Sequence, residues 1–206
     1  MDFIHLQRFV NICVRAGVPP LEAAAMGEDL LVRYAEEGRH YHNLSHIAKM
    51  LAWLDAAGAG TPEMELAVWF HDCVYETSGR DNEAASAVHF ERTMGCFLDA
   101  PAVSTVVRLI LATDFRRPRT GQPDEALLID IDFSILGSPW EEYDAYRAAV
   151  RREYAAVSDT DFIPGRSAVL RHFLTSRIFT TEFFAPLEQS ARNNIQRELA
   201  LLEGMK

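Results

Sequence analysis

Two places in the 206-residue sequence bring together side chains that could bind a metal. The first is the segment HYHNLSH, residues 40–46, in which His42 and His46 share one face if the segment is helical. The second is the pair His71-Asp72 at the end of an apolar run. A buried aspartate loses its hydration unless it is paired or bound to a cation, so this pair indicates a functional site rather than an ordinary core position.

A third place is the apolar run IDIDF, which contains Asp130 and Asp132. Carboxylates are costly inside such a run, and metal coordination is one way to offset that cost. Imidazole nitrogens combined with carboxylate oxygens suit one divalent ion, which could be Mn, Fe, Co, Ni, Zn or Mg. The candidate ligands are His46, His71, Asp72 and Asp132.

A metal in such a site lowers the pKa of a bound water molecule and polarises a phosphoryl oxygen. The chemistry indicated is therefore attack of a metal-bound hydroxide on phosphorus. His42 lies one helical turn from His46 if both are helical, which is close enough to protonate the leaving oxygen as a general acid.

The order H…HD…D resembles the HD superfamily of metal-dependent phosphohydrolases, which are helical proteins named for their His-Asp pair. The segment YHNxxH, residues 41–46, is similar to the first metal motif of the cyclic-nucleotide phosphodiesterases. The resemblance implies a fold of the HD/phosphodiesterase-like type. It also implies that His42 is the acid and that His46, His71, Asp72 and Asp132 are the ligands.

A closer likeness, to an uncharacterised bacterial group of HD proteins of about 200 residues, extends over essentially the whole chain. The shared motifs are YHNxxH, HDxVY, NExxSA, DxSILG and a C-terminal ARxN helix. Asp132 begins DxSILG and matches the final aspartate of the superfamily, whereas Asp130 is the rival ligand.

The resemblance has one notable departure. Two-metal members of the superfamily carry further histidines between the central pair and the last aspartate, but this interval contains only His89 here. Where related sequences often show a lysine and then a histidine, this chain has Asp114 and Arg116. We therefore expect a single metal ion, with a water molecule contacted by Glu83 at the position that two metals would share.

Other polar residues near these motifs have two interpretations each. Glu83 could complement the dipole of the helix that it begins or could act as a base on the metal-bound water, and Glu76 is a weaker alternative. The basic loop at residues 116–119 could bind phosphate through bidentate hydrogen bonds or could be an ordinary solvated loop. The candidates taken forward are Glu83 as a catalytic residue and Arg116, Arg119 and Tyr41 as substrate-binding residues.

The overall charge limits the partners that the chain can bind. Twenty Lys and Arg against 30 Asp and Glu give a net charge of −10, which opposes wrapping of a DNA or RNA backbone. A small phosphoester that meets a bound dication is not excluded, because the metal and nearby arginines reverse the local sign. We expect a small phosphorylated substrate such as a nucleotide, and the oligomeric state stays open.

The cysteines and the N-terminus bear on localisation. Three widely spaced cysteines with no CxxC pair favour a reducing compartment over a disulfide framework. The opening MDFIHLQRFVNICVRAG lacks the pattern of a signal peptide, and no stretch approaches the roughly 20 apolar residues of a membrane span. We therefore expect a soluble, cytoplasmic protein with no membrane partner.

The periodicity of apolar residues is helical nearly throughout, which predicts an all-α helical bundle. We expect a single domain over residues 1–206, with a core at about 20–156 and C-terminal helices at 160–204 packed on it. Thr61-Pro62 is expected to begin a helix that runs to about Val74. The segment EALLIDIDFSILG is expected to form one buried helix that ends at Gly137.

Three functional hypotheses follow. The leading one is a metal-dependent phosphohydrolase that cleaves a phosphate monoester or diester. The alternative is a non-catalytic HD module that binds a nucleotide or metabolite and acts through a partner. A third hypothesis, oxygen chemistry at two irons, is disfavoured because too few histidines lie between Asp72 and Asp132.

Overall fold

The computed structural model describes residues 2–77, 79 and 81–204, and only the backbone of residue 2. Over these residues the chain is helical and contains no β-strand, which confirms the predicted all-α class. None of the helices in these ranges is both long and apolar enough to cross a membrane. The α-helices are α1 (Asp2–Arg15), α2 (Pro20–Tyr34), α3 (Leu44–Ala57), α4 (Pro62–Phe70), α5 (Asn82–Met94), α6 (Ala100–Ala112), α7 (Pro123–Asp132), α8 (Trp140–Glu153), α9 (Asp159–Leu174) and α10 (Glu188–Glu203).

The chain separates into two compact units, Met1–Leu128 and Ile129–Lys206, and the boundary between them falls inside α7. Each unit has its own group of buried apolar side chains. The expectation of one domain, with C-terminal helices packed on a core at about 20–156, stays a prediction.

Helix α4 is the central element of the first unit. Its residues 66–70 are buried on every side, and α1, α3, α5 and α6 all pack against it. A helix that is apolar around its whole circumference must be enclosed in this way. Phe9 of α1 meets the Trp69 ring edge-on at a centroid distance of 5.4 Å, and Phe90 meets Phe70 at 5.2 Å. The residues that follow α4 are therefore held by a rigid, buried support.

The predicted start of α4 is confirmed, but the predicted end near Val74 is wrong. The Thr61 hydroxyl accepts a hydrogen bond from the Met64 amide at the N-terminus, and the helix ends at Phe70. Beyond it, the Val74 amide donates to the Ser86 hydroxyl of α5 at 3.1 Å instead of to a helical carbonyl. The helix can end before Val74 because the Ser86 side chain accepts the hydrogen bond of the Val74 amide, which would otherwise need a helical carbonyl.

The predicted buried helix ending at Gly137 is α-helical only as far as Asp132 and continues as a 3-10 helix, Phe133–Gly137. The amide of Asn194 in α10 donates to the carbonyls of Leu136 and Ser138, at 2.9 and 2.8 Å, and so caps the end of that tighter turn. A side chain at Gly137 would have its Cβ 2.7 Å from the Cβ of Leu187, which explains the glycine at this close approach.

The second unit is further held together by a buried ion pair between α9 and α10. The Arg166 guanidinium donates to both carboxylate oxygens of Glu198, at 2.8 and 3.1 Å, and the Tyr143 hydroxyl of α8 donates to the same carboxylate at 2.5 Å. Because both charges are buried, removal of either partner would leave the other charge buried and unpaired, which is strongly destabilising.

We expect Phe9→Ala to lower the free energy of unfolding by about 3–5 kcal/mol, because it leaves a cavity against Trp69 in the core around α4. Phe3→Ala on the same helix is the matched control, since Phe3 is 74% exposed and its truncation should change stability by no more than about 0.5 kcal/mol. Urea denaturation followed by circular dichroism measures both. Equal effects of the two substitutions would contradict the packing described for α1.

Candidate metal site

The first histidine segment lies at the start of α3. Asn43 is the N-cap residue, and its side-chain oxygen accepts the Ser45 amide at 2.9 Å. His46 is therefore in the first turn of the helix and is buried, whereas His42 precedes the cap and is half-buried. The condition that both histidines be helical is not met, yet their ring centroids lie 6.1 Å apart.

His71 and Asp72 form the turn that directly follows α4. The His71 amide still donates to the Ala67 carbonyl, so the buried helix holds the backbone of this residue in a fixed orientation. Its Nδ1 lies 3.0 Å from the Val68 carbonyl oxygen, which can only accept a hydrogen bond. Nδ1 must therefore carry the hydrogen, and Nε2 of a neutral His71 ring presents a lone pair to the site.

Three electron-rich atoms converge at this point. His46 Nε2 and His71 Nε2 are 3.2 Å apart, and Asp72 Oδ2 lies 2.9 Å from the latter and 3.7 Å from the former. Lone pairs at such distances repel one another unless a proton or a metal cation lies between them. The donor set, two imidazole nitrogens and a carboxylate oxygen, fits a divalent transition metal.

The charge of Asp72 depends on these neighbours. Burial raises the pKa of its carboxyl group, but the imidazoles of His71, His42 and His46 oppose that effect. The imidazoles dominate, and the pKa of Asp72 lies well below its ordinary value. The carboxylate is consequently ionised throughout the physiological range and is ready to bind a cation.

The two aspartates of the IDIDF run have different surroundings. Asp132 is half-buried. Asp130 is fully buried and accepts hydrogen bonds from the amides of Thr180 and Thr181 and from the Thr181 hydroxyl, at 2.7–3.1 Å. These hydrogen bonds give Asp130 a structural role, and Asp132 stays the predicted ligand.

Aromatic rings surround His42. The Tyr75 ring stacks on its imidazole at a centroid distance of 4.1 Å and an interplanar angle of 24°, and the Tyr41 ring meets it edge-on at 5.0 Å. Tyr41 also lies 4.9 Å from the His46 ring. These contacts restrict the rotation of His42, and they bring Tyr41 to the same place as the candidate ligands.

Glu83 and Arg116 belong to a second, more exposed cluster. The Arg116 guanidinium binds both carboxylate oxygens of Asp114, at 2.7 and 3.0 Å, and lies 3.7 Å from Glu83 Oε2. Burial raises the pKa of Glu83, and the charges of Asp114 and Asp72 add to the effect while Arg116 opposes it. Arg116 thus neutralises carboxylates here, and Arg119 lies on the exposed part of the same loop.

Two residues beside the candidate site had no predicted role. Tyr75 stands in the HDxVY motif, but only the structure places its ring on His42. Arg39 directly precedes the histidine segment, and its buried side chain donates to the backbone carbonyls of His42, Asp72 and Cys73. The sequence signal that could have identified Arg39 is its position as a long, charged residue directly before the histidine motif.

Comparisons with known proteins add nothing to this description, because no family model, no curated protein and no solved structure matches the chain.

The isosteric substitutions Asp132→Asn and Asp130→Asn separate the two roles in the IDIDF run. Asp132→Asn should weaken Mn²⁺ binding at least tenfold, measured by isothermal titration calorimetry, because a ligand oxygen loses its charge. Asp130→Asn should retain the metal but lower the free energy of unfolding by about 1–3 kcal/mol, because the charge-assisted bonds to Thr180 and Thr181 are weakened. The opposite pattern would reverse the ligand assignment.

Thiol reactivity tests the packing around Asp72. Burial raises the pKa values of Cys73 and Cys13 to about 12, whereas Cys96 is exposed. At pH 8 we expect an aromatic disulfide reagent to modify one thiol per folded chain rapidly and all three in 6 M guanidinium chloride, because thiolates are the reactive species. Rapid modification of Cys73 in the folded protein would contradict the enclosed position of the turn.

Proposed function

We propose that this protein is a metal-dependent phosphohydrolase that cleaves a small phosphate monoester or diester, such as a nucleotide. The observation that carries the proposal is the convergence of His46 Nε2, His71 Nε2 and Asp72 Oδ2 within 3.7 Å. Asp132 is the proposed fourth ligand, because it begins the DxSILG motif and matches the final aspartate of the HD superfamily. The resemblance of the motifs to the HD superfamily supports the same conclusion.

The residues present fit a divalent cation with mixed nitrogen and oxygen ligands. When bound, such a cation would make a water molecule acidic enough to act as a nucleophile at neutral pH and would polarise the phosphoryl oxygen. The role of the protein is to present an ionised Asp72 and an Nε2 lone pair of His71. The hydrogen bond from His71 Nδ1 to the Val68 carbonyl holds that tautomer.

His42 is the proposed general acid. The centroid of its imidazole lies 6.1 Å from that of His46, and the stacked Tyr75 ring holds its plane. Protonation of the leaving alkoxide by a positioned imidazole contributes about 10²–10⁴ to the rate of such reactions.

Glu83 is the proposed base that orients the attacking water. Burial raises the pKa of its carboxyl group toward neutral pH, and a general base is most effective when its pKa is near the operating pH. The nearby Arg116 limits that shift, and its contact with Asp114 gives the guanidinium a defined orientation. The proposal includes contacts with the substrate phosphate by Arg116, Arg119 and Tyr41. It also includes a location in the cytoplasm, which is a reducing compartment.

The test is a panel of phosphoesters assayed with protein purified without chelators and loaded with Mn²⁺, Co²⁺, Ni²⁺ or Zn²⁺. We expect hydrolysis that is abolished by EDTA and restored by one equivalent of metal per chain. Binding of a nucleotide without turnover on any phosphoester would instead support a non-catalytic binding module.

A variant series assigns the roles. His42→Asn should lower kcat about 10²–10⁴-fold while the metal content, measured by elemental analysis, stays at the wild-type level. His71→Asn should lose both metal and activity, because it removes a ligand. An active enzyme with wild-type kcat after His42→Asn would show that His42 is not the acid.

A further inference from the structure

Arg39 is a buried cation close to the candidate ligands. Only 3% of its side chain is exposed, and it forms an ion pair with Glu36 Oε2 at 3.0 Å, on a side chain that is 48% exposed. The preceding Gly38 has a φ of 96°, a backbone conformation that glycine adopts readily and that turns the chain after α2. Burying a guanidinium costs free energy unless its donors are satisfied, so its hydrogen bonds indicate why it is there.

The hydrogen bonds of Arg39 join two segments that are far apart in sequence. One terminal nitrogen donates to the Asp72 carbonyl at 2.6 Å and to the His42 carbonyl at 3.2 Å. The other donates to the Cys73 carbonyl at 3.2 Å. A single planar group therefore sets the spacing between the turn that carries the general acid and the turn that carries the metal ligands.

The faces of the guanidinium add a second connection. Its carbon lies 5.4 Å from the Tyr34 ring centroid and 5.6 Å from that of Tyr75, distances typical of cation–π contacts. The Tyr34 hydroxyl donates to the Trp69 carbonyl at 2.9 Å, near the end of α4. Tyr75 stacks on His42, so Arg39 supports the acid through a ring as well as through a carbonyl.

We propose that Arg39 is a positioning residue that holds the His42 turn and the His71-Asp72 turn at the separation required for metal binding and proton transfer. The proposal rests on the metal centre of the proposed function. The planar fork of arginine can reach three carbonyls at once, whereas the compact ammonium of a lysine cannot reproduce that geometry. Its hydrogen bonds to backbone carbonyls assign Arg39 a positioning role instead of a catalytic one.

The experiment compares Arg39→Lys and Arg39→Met with Arg8→Met. Arg8 is the matched control, because it also joins separate helices, but its partners Asp55 and Glu65, at 2.7 and 2.8 Å, belong to α3 and α4 instead of to the two turns. Binding of Co²⁺ is followed by its visible absorption bands, which report ligand geometry, and folding is followed by circular dichroism and thermal unfolding.

We expect Arg39→Lys to keep the helical circular dichroism spectrum, to bind Co²⁺ 10–100-fold more weakly and to show altered visible bands. Arg39→Met should show a larger loss. Arg8→Met should lower the unfolding temperature but bind Co²⁺ like the wild type. This split separates positioning from a general contribution to stability.

The outcomes that would overturn the two proposals differ. If wild-type protein and Arg39→Lys bind Co²⁺ with the same affinity and spectrum, Arg39 has no positioning role and the metal centre stands. If both Arg39 variants are unfolded even with saturating Co²⁺, Arg39 is a folding residue and the proposal fails. If the wild-type protein binds no Co²⁺, the metal centre of the proposed function fails and the positioning role fails with it.

Discussion

The desolvation of Asp72 is the constraint on which the rest of the site depends. An ionised carboxylate that follows a fully buried helix is stable only when positive charge and hydrogen-bond donors surround it. His71 and His46 each bring a nitrogen within 3.7 Å of Oδ2, and a proton or a bound cation between these atoms would supply the positive charge. The buried position of α4 makes the arrangement rigid, because the histidine side chain is fixed by the carbonyl of the preceding helical turn.

Both regions that supply ligands are fixed by polar groups distant in sequence. In the first unit Arg39 bonds to the carbonyls of the two turns. In the second unit Asp130 accepts hydrogen bonds from the amides of Thr180 and Thr181, and Asn194 donates to the carbonyl of Leu136, so the segments before and after Asp132 are both held by distant residues. Metal ligands with long-range supports of this kind are preorganised, which reduces the ordering cost of binding.

The local part of this description could be predicted from the sequence, and the long-range part could not. Thr61 caps α4 through its own hydroxyl, which accepts a hydrogen bond from the backbone amide three residues later, so the local pattern was enough to identify it. The end of α4 depends instead on a hydroxyl of α5. Likewise, the distinction between Asp130 and Asp132 depends on Thr180, 50 residues later, and periodicity carries no information about that contact.

The fact that Arg39 bonds to carbonyl oxygens has an evolutionary consequence. Every residue type offers a backbone carbonyl, so a replacement of the Cys73 side chain removes no acceptor from Arg39. The same holds for the carbonyls of His42 and Asp72, whose side chains can be selected for chemistry alone. A support that bonds to the backbone therefore lets the side chains on the two turns change independently of the frame that holds them.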